Sequence, residues 1–131
     1  MDKESQRELD ALIKEYDSFV KESLASQLGL RNKYLRSDNG SIYVRKLLHP
    51  SLPPCFCISS IEFSEHMRGK GIMTGFLDHV ENNLSKYAGV EFECIHNQEL
   101  VKHLEKRGYT WSPYRAEYLK DLEHHLYKAK A

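Results

Sequence analysis

The chain has 131 residues, the usual size of one domain with one core, and a single domain over 1–131 is expected. Its 19 Lys and Arg residues balance 19 Asp and Glu residues, so the basic surplus of a general nucleic-acid binder is missing and no nucleic acid is expected as partner. No apolar run approaches membrane-spanning length and Met1 leads straight into charge, so neither a membrane partner nor a signal peptide is expected, and three cysteines without secretory features fit reduced thiols in a cytoplasm.

Taken in order, Asp2 to Leu28 carries an apolar stripe of Leu9, Leu12, Ile13, Tyr16, Val20 and Leu24. The stripe predicts one amphipathic helix or two short ones, stopped at Gly29. Asn32 to Ser37 and Ser41 to His49 flank Asp38-Asn39-Gly40, and Asn-Gly between two such runs is a hairpin signal. Pro50 to Pro54 turns the chain. Cys55 to Phe63 is then the third strand of an antiparallel meander, with a change of apolar parity that predicts a bulge near Ser59 and Ser60. Cys55-x-Cys57 lacks the second ligand pair of a zinc site, so both cysteines are assigned to the core and no metal is expected.

After the strand comes Ser64-Glu65-His66-Met67-Arg68-Gly69-Lys70-Gly71-Ile72-Met73-Thr74-Gly75. Met73, Phe76, Leu77, Val80, Leu84 and Tyr87 follow at helical spacing, which predicts a helix ending near Gly89. The glycines therefore occupy a strand-to-helix turn. A helix start offers unsatisfied N–H groups and the positive end of the dipole, and suits a phosphate. Arg68 and Lys70 add positive charge. The stretch is no Walker loop, and Gly69, Gly71 and Gly75 miss the dinucleotide spacing by one residue.

Val90 to Ile95 alternates as a strand and follows a crossover helix, so it should lie parallel to the strand before the loop. Asn97 is an N-cap for a helix carrying Leu100, Val101 and Leu104, with Gly108 just past its end. Tyr109 to Trp111 and Ala116 to Leu122 are expected to be a last strand pair, and Glu123 to Ala131 a helical or frayed tail. The elements make an α+β chain: a mixed, mostly antiparallel sheet with one parallel pair and flanking helices.

Two stretches carry a family resemblance. Arg68 and Gly71 fit the pyrophosphate loop of the GNAT acetyltransferases, [QR]-x-x-G-x-[GA], with Met73 in place of the small sixth residue. Asn97-Gln98-Glu99-Leu100-Val101-Lys102-His103-Leu104-Glu105-Lys106-Arg107-Gly108-Tyr109 resembles the family's downstream segment, with Asn97, Glu105, Lys106, Gly108 and Tyr109 matching. Together they cover Ile58 to Tyr109. The chain thus looks like a small GNAT protein with the first family strand missing and the leading helices abbreviated.

The resemblance implies acetyl-CoA as acyl donor and an amine-bearing acceptor, small molecule or protein. It puts the donor where the strand before the loop splays from the next parallel strand. Its pantetheine arm would lie along Ile61 to Phe63, its pyrophosphate on the amides of Gly69, Lys70, Gly71, Ile72, Met73 and Thr74 beside Arg68, and Asn97 would hydrogen-bond it. The amine attacks the thioester carbonyl, a backbone N–H near Phe63 serves the oxyanion, and a base is needed near pH 7. Glu62 is the first candidate base, with Glu93 and His96 as alternatives. Leu104 stands where the family's acid, a tyrosine, is usual. Tyr109 cannot take that role because it matches the motif's core aromatic. Met73 is expected to crowd the pyrophosphate. The rival reading is a weak or inactive GNAT-fold protein acting as a CoA-binding or protein-interaction module; a dinucleotide enzyme is a distant third. Specificity should lie around Leu28 to Lys33, His96, and Trp111 to Arg115. The oligomeric state stays open, a homodimer included.

Overall fold

The structure is a computed structural model and describes residues 1–26, 29–50 and 52–131. Helix α1 (Lys3–Leu24) starts at Asp2, whose carboxylate accepts the Ser5 amide at 2.7 Å. It is a single helix ending at Leu24, short of the expected Leu28, which with Gln27 lies outside the described residues. Leu9, Leu12, Tyr16 and Phe19 form its buried stripe, with Ile13, Val20 and Leu24 packed at the margin.

Strands β1 (Asn32–Ser37) and β2 (Gly40–Leu47) make the expected hairpin, but Asn39-Gly40 is not its turn. Ser37 pairs with Gly40, so Asp38 and Asn39 form the loop, and neither has positive φ. The tip is held from outside. Buried Glu8 of α1 accepts hydrogen bonds from the Ser37 hydroxyl and the Asn39 amide, both at 2.7 Å. Two bonds to a carboxylate compensate for a turn whose twist suits a hairpin less well. Gly40 is required for space: a Cβ there would lie 2.3 Å from the Phe63 ring.

β3 (Cys55–Phe63) pairs antiparallel with β2 and has the expected bulge. Tyr43 opposes Ser60 while Val44 opposes Ile58, which leaves Ser59 as the extra residue. α2 (Ile72–Asn82) ends at Asn82, well before Gly89. Leu84 and Tyr87 are buried as their spacing requires, but from an irregular turn. Tyr16 donates to the Asn83 carbonyl at 2.8 Å there, and Ser85 adopts φ 54. Gly89 instead opens β4 (Gly89–Ile95), which runs parallel to β3.

α3 (Gln98–Lys106) is capped by Asn97 and closed at Gly108 with φ 99, as expected. The C-terminal region differs. β5 (Thr110–Trp111) pairs with β6 (His124–Ala129), so the expected tail helix is a strand. Glu117–Asp121, expected in a strand, is a short 3₁₀ turn. The sheet decides this: β4 would otherwise present an open row of backbone groups beside buried Val90 and Phe92, and β6 satisfies it.

The sheet order is β1-β2-β3-β4-β6-β5, with β3–β4 the parallel pair. The register puts Ile42, Val44, Phe56, Ile58, Val90 and Phe92 on one face. There Tyr16 meets Phe56 and Phe76 edge-on, and Phe92 meets Tyr109. On the other face Arg45, Cys57, Glu91 and Tyr127 lie side by side. None of the described helices is long and apolar enough to cross a membrane.

Candidate functional site

The parallel pair is short. Phe56, Cys57 and Ile58 pair with Val90, Glu91 and Phe92, and the ladder then stops although β3 runs to Phe63 and β4 to Ile95. Both strands are irregular where it stops: β3 bulges at Ser59, and β4 shifts register against β6 between Phe92 and Ile95, with Cys94 at φ 54. The strands part into an open cleft of about 990 Å3. From Ser59 onward the β4-side edge of β3 has no strand partner among the described residues, which leaves it open to pairing with an extended ligand.

One end of the cleft meets the start of α2. Gly69 and Gly71 have φ 71 and 83, a conformation that side chains with a Cβ rarely adopt. Gly71 is the N-cap and supplies no side-chain acceptor, and the first turn of α2 contains no acidic residue. The N–H groups of that turn therefore have no side-chain cap. Arg68 folds back and donates to the Phe63 carbonyl at 3.2 Å. Lys70 is exposed, 4.0 Å from the Asp2 carboxylate.

Ile61, Glu62, Phe63, Arg68, Met73, His96 and Asn97 all line this cleft. Gly69, Lys70, Gly71, Ile72 and Thr74 are not in its lining but continue the chain between Arg68 and Met73 and into α2. Glu62 is exposed on the sheet face opposite the core, and so lacks the partial burial expected of a tuned base. Met73 is half-buried against the core, so its bulk is directed at least partly inward. The Asn97 Oδ1 accepts the Glu99 and Leu100 amides at 3.0 and 3.1 Å, which leaves its amide nitrogen for a ligand. Leu104 is fully buried. Tyr109 is also buried and donates to Glu81 at 2.9 Å; burial first, then the Glu81 charge, pushes its hydroxyl far above the usual range.

Glu93, the alternative base, is tied up in ion pairs. It is fixed by Arg45 at 2.8 Å, by Arg115 at 3.0 Å and by the Ser59 hydroxyl. Burial pushes its carboxyl up, but these partners outweigh burial and hold it below the ordinary carboxylate range. Arg115 also donates to buried Glu91 at 2.9 Å. Cys55 and Cys57 are core residues as expected, and burial pushes the Cys55 thiol up to about 11.

Sequence reading missed one wall. Arg36, Ser37, Asp38, Asn39, Gly40 and Ser41 of the hairpin tip line the cleft, whereas the expected segment near Lys33 does not, and Leu28 lies outside the described residues. The turn residues marked the tip, and the antiparallel meander places Gly40 beside Phe63 at the end of β3. His96 lines the cleft, whereas the expected segment Trp111 to Arg115 is not in its lining; Arg115 pairs instead with Glu91 and Glu93.

No family model matches the sequence, and no curated protein is similar to it. Solved structures are similar to it. One is a tyrosine-to-phenylalanine mutant of the AtaT toxin bound to the C-terminus of the antitoxin AtaR: 12% identity, 70% of this chain and 59% of that chain covered, TM-score 0.50. The chain therefore spans about 59% of that toxin's length. The NatC complex bound to Gag peptide and CoA is similar at 11% identity over 97% of this chain and 92% of that one, with TM-score 0.49. A GNAT-family acetyltransferase from Listeria monocytogenes is similar at 14% identity over 92% and 87%, with TM-score 0.48. By its mixed sheet, its parallel pair that opens at the cleft and its glycine turn at the head of the crossover helix, the chain has a fold similar to that of the AtaT toxin.

Proposed function

We propose that the chain, acting as one domain over 1–131, is an acyl-CoA-dependent N-acyltransferase that moves an acetyl group from acetyl-CoA to an amine. One observation carries this: the unpartnered edge of β3 and the uncapped, acid-free start of α2 meet at the same cleft. An amide-bearing arm ending in a pyrophosphate needs that combination. The Ile61 to Phe63 edge would pair with the arm, the Gly69 to Thr74 amides would hold the pyrophosphate, and the Asn97 amide nitrogen would donate to the donor molecule.

Glu62 and His96 then remain as proton acceptors for the attacking amine, since Glu93 is committed to its ion pairs. No phenol stands at Leu104, and the departing thiol needs little help because its pKa is about 8.5, as for cysteine. Acetyl-CoA is what a titration should test, with NAD as the contrast. Binding of acetyl-CoA and not NAD in a calorimeter supports the reading; heat from NAD alone overturns it.

Leu104, sealed in the core, favours a second reading: a CoA-binding or protein-interaction module without turnover. Thiol release from acetyl-CoA, followed over polyamines, aminoglycosides, peptide amino termini and lysine, separates the two. Binding without release across that panel selects the module.

A further inference from the structure

Cys94 sits in the irregular stretch of β4, and Glu123 and His125 lie across from it at the start of β6. A sulfur, a carboxylate oxygen and an imidazole nitrogen there lie within 4.8 Å of one another. His125 is only 3% exposed, and its Nε2 has no hydrogen-bond partner. Glu123 Oε2 lies 3.8 Å from it, too far for a hydrogen bond. A buried polar nitrogen left without a partner calls for an explanation, and a missing ion is one.

We propose that Cys94, Glu123 and His125 bind one zinc ion at the margin of the cleft. Thiolate, imidazole and carboxylate together are a zinc donor set; magnesium and calcium require oxygen throughout. Zinc bonds of about 2.0–2.3 Å at tetrahedral angles set donors roughly 3.3–3.6 Å apart. The contraction this requires falls on exposed Cys94 and half-buried Glu123, while the buried histidine stays in place. Ligation through Nε2 moves the ring proton to Nδ1. That gives up the bond from the Cys94 amide, which at 3.4 Å is already long. Binding releases the Cys94 thiol proton, so thiolate and carboxylate together neutralise the ion's two charges. Three protein ligands leave the fourth position for water, the pattern of a working site and not of a closed structural one. Cys94 also lines the cleft, so that position lies beside the candidate acyl-transfer site.

The test is titration of the reduced full chain with zinc by calorimetry and with cobalt by absorption. One ion per chain, with thiolate-to-cobalt charge transfer and the intense visible bands of a tetrahedral site, is expected. Cys94→Ser should abolish the charge-transfer band, and Glu123→Gln should weaken affinity by on the order of 10²-fold, at the top of the range for supporting residues. Both changes are on accessible positions, and circular dichroism verifies the fold. No binding, or binding that survives Cys94→Ser unchanged, overturns the site, since other surface histidines would then hold the metal.

Discussion

β3 and β4 behave as two different structures at their two ends. In the first half, Phe56 to Ile58 against Val90 to Phe92, the strands are laddered and every residue is buried on one face or the other. In the second half, Ser59 to Phe63 against Glu93 to Ile95, no ladder joins them, and the side chains are mixed in exposure. The backbone chemistry is the same throughout. A bulge in β3 and a register shift in β4 accompany the change from a closed core to an open cleft. With stability set by the closed half and the proposed binding placed in the open half, substitutions in each should act separately.

The largest effect is expected in the closed half. Phe56 is fully buried and packs edge-on against Tyr16, Phe19 and Tyr87. Phe56→Ala should cost about 3–5 kcal/mol, read by denaturant unfolding. A loss under about 1 kcal/mol would mean that the ladder, not the packing, holds the pair. In the open half, Gly71→Val puts a branched side chain at φ 83, with local strain of about 1–3 kcal/mol. The loop should shift and acetyl-CoA affinity should fall by at least about 10²-fold while the circular dichroism spectrum is kept. Unchanged affinity in that folded variant places the donor elsewhere.

Glu62→Gln, also in the open half, should leave stability unchanged. It should lower the transfer rate by on the order of 10²-fold at neutral pH, the scale of general base catalysis. The loss should shrink at high pH, where the amine is already free. A wild-type rate at neutral pH would pass the role to His96.

The smallest effect concerns the junction of the halves. Glu93 has a folded pKa below its unfolded value, so its contribution to stability is complete above the unfolded value and is lost as pH falls through the folded one. Glu93→Gln should therefore be less stable than wild type near pH 7, with a gap that narrows below about pH 4. A gap independent of pH would show that the ion pairs contribute nothing.

The legible parts of the fold were those fixed by local chemistry. The α1 stripe, the Ser59 bulge, the glycine turn, and the Asn97 and Gly108 caps each follow from residues a few positions apart. The end of α2 was not legible, because Leu84 and Tyr87 keep helical spacing while being buried from a turn. β6 was not legible either: His124 to Ala129 carries no β-branched residue, and its conformation is dictated by the free edge of β4. In the site, the loop and the parting of the strands could be foreseen from the family resemblance. The restraint of Glu93 by Arg115, and the meeting of Cys94 with Glu123 and His125, join residues far apart in sequence and have no local signature.

The position of β6 has a consequence for the timing of assembly. β6 follows β5 in the chain, yet it is an interior strand, inserted between β4 and β5. Until it arrives, β4 exposes its backbone edge beside Val90 and Phe92, and two-residue β5 has no neighbour to join. A nascent or truncated chain ending before His124 would carry a finished hairpin and glycine loop next to an adhesive strand. The partner of β4 is therefore made after every residue that lines the cleft, and the interval before it arrives is when the chain is most exposed to pairing with another copy of itself.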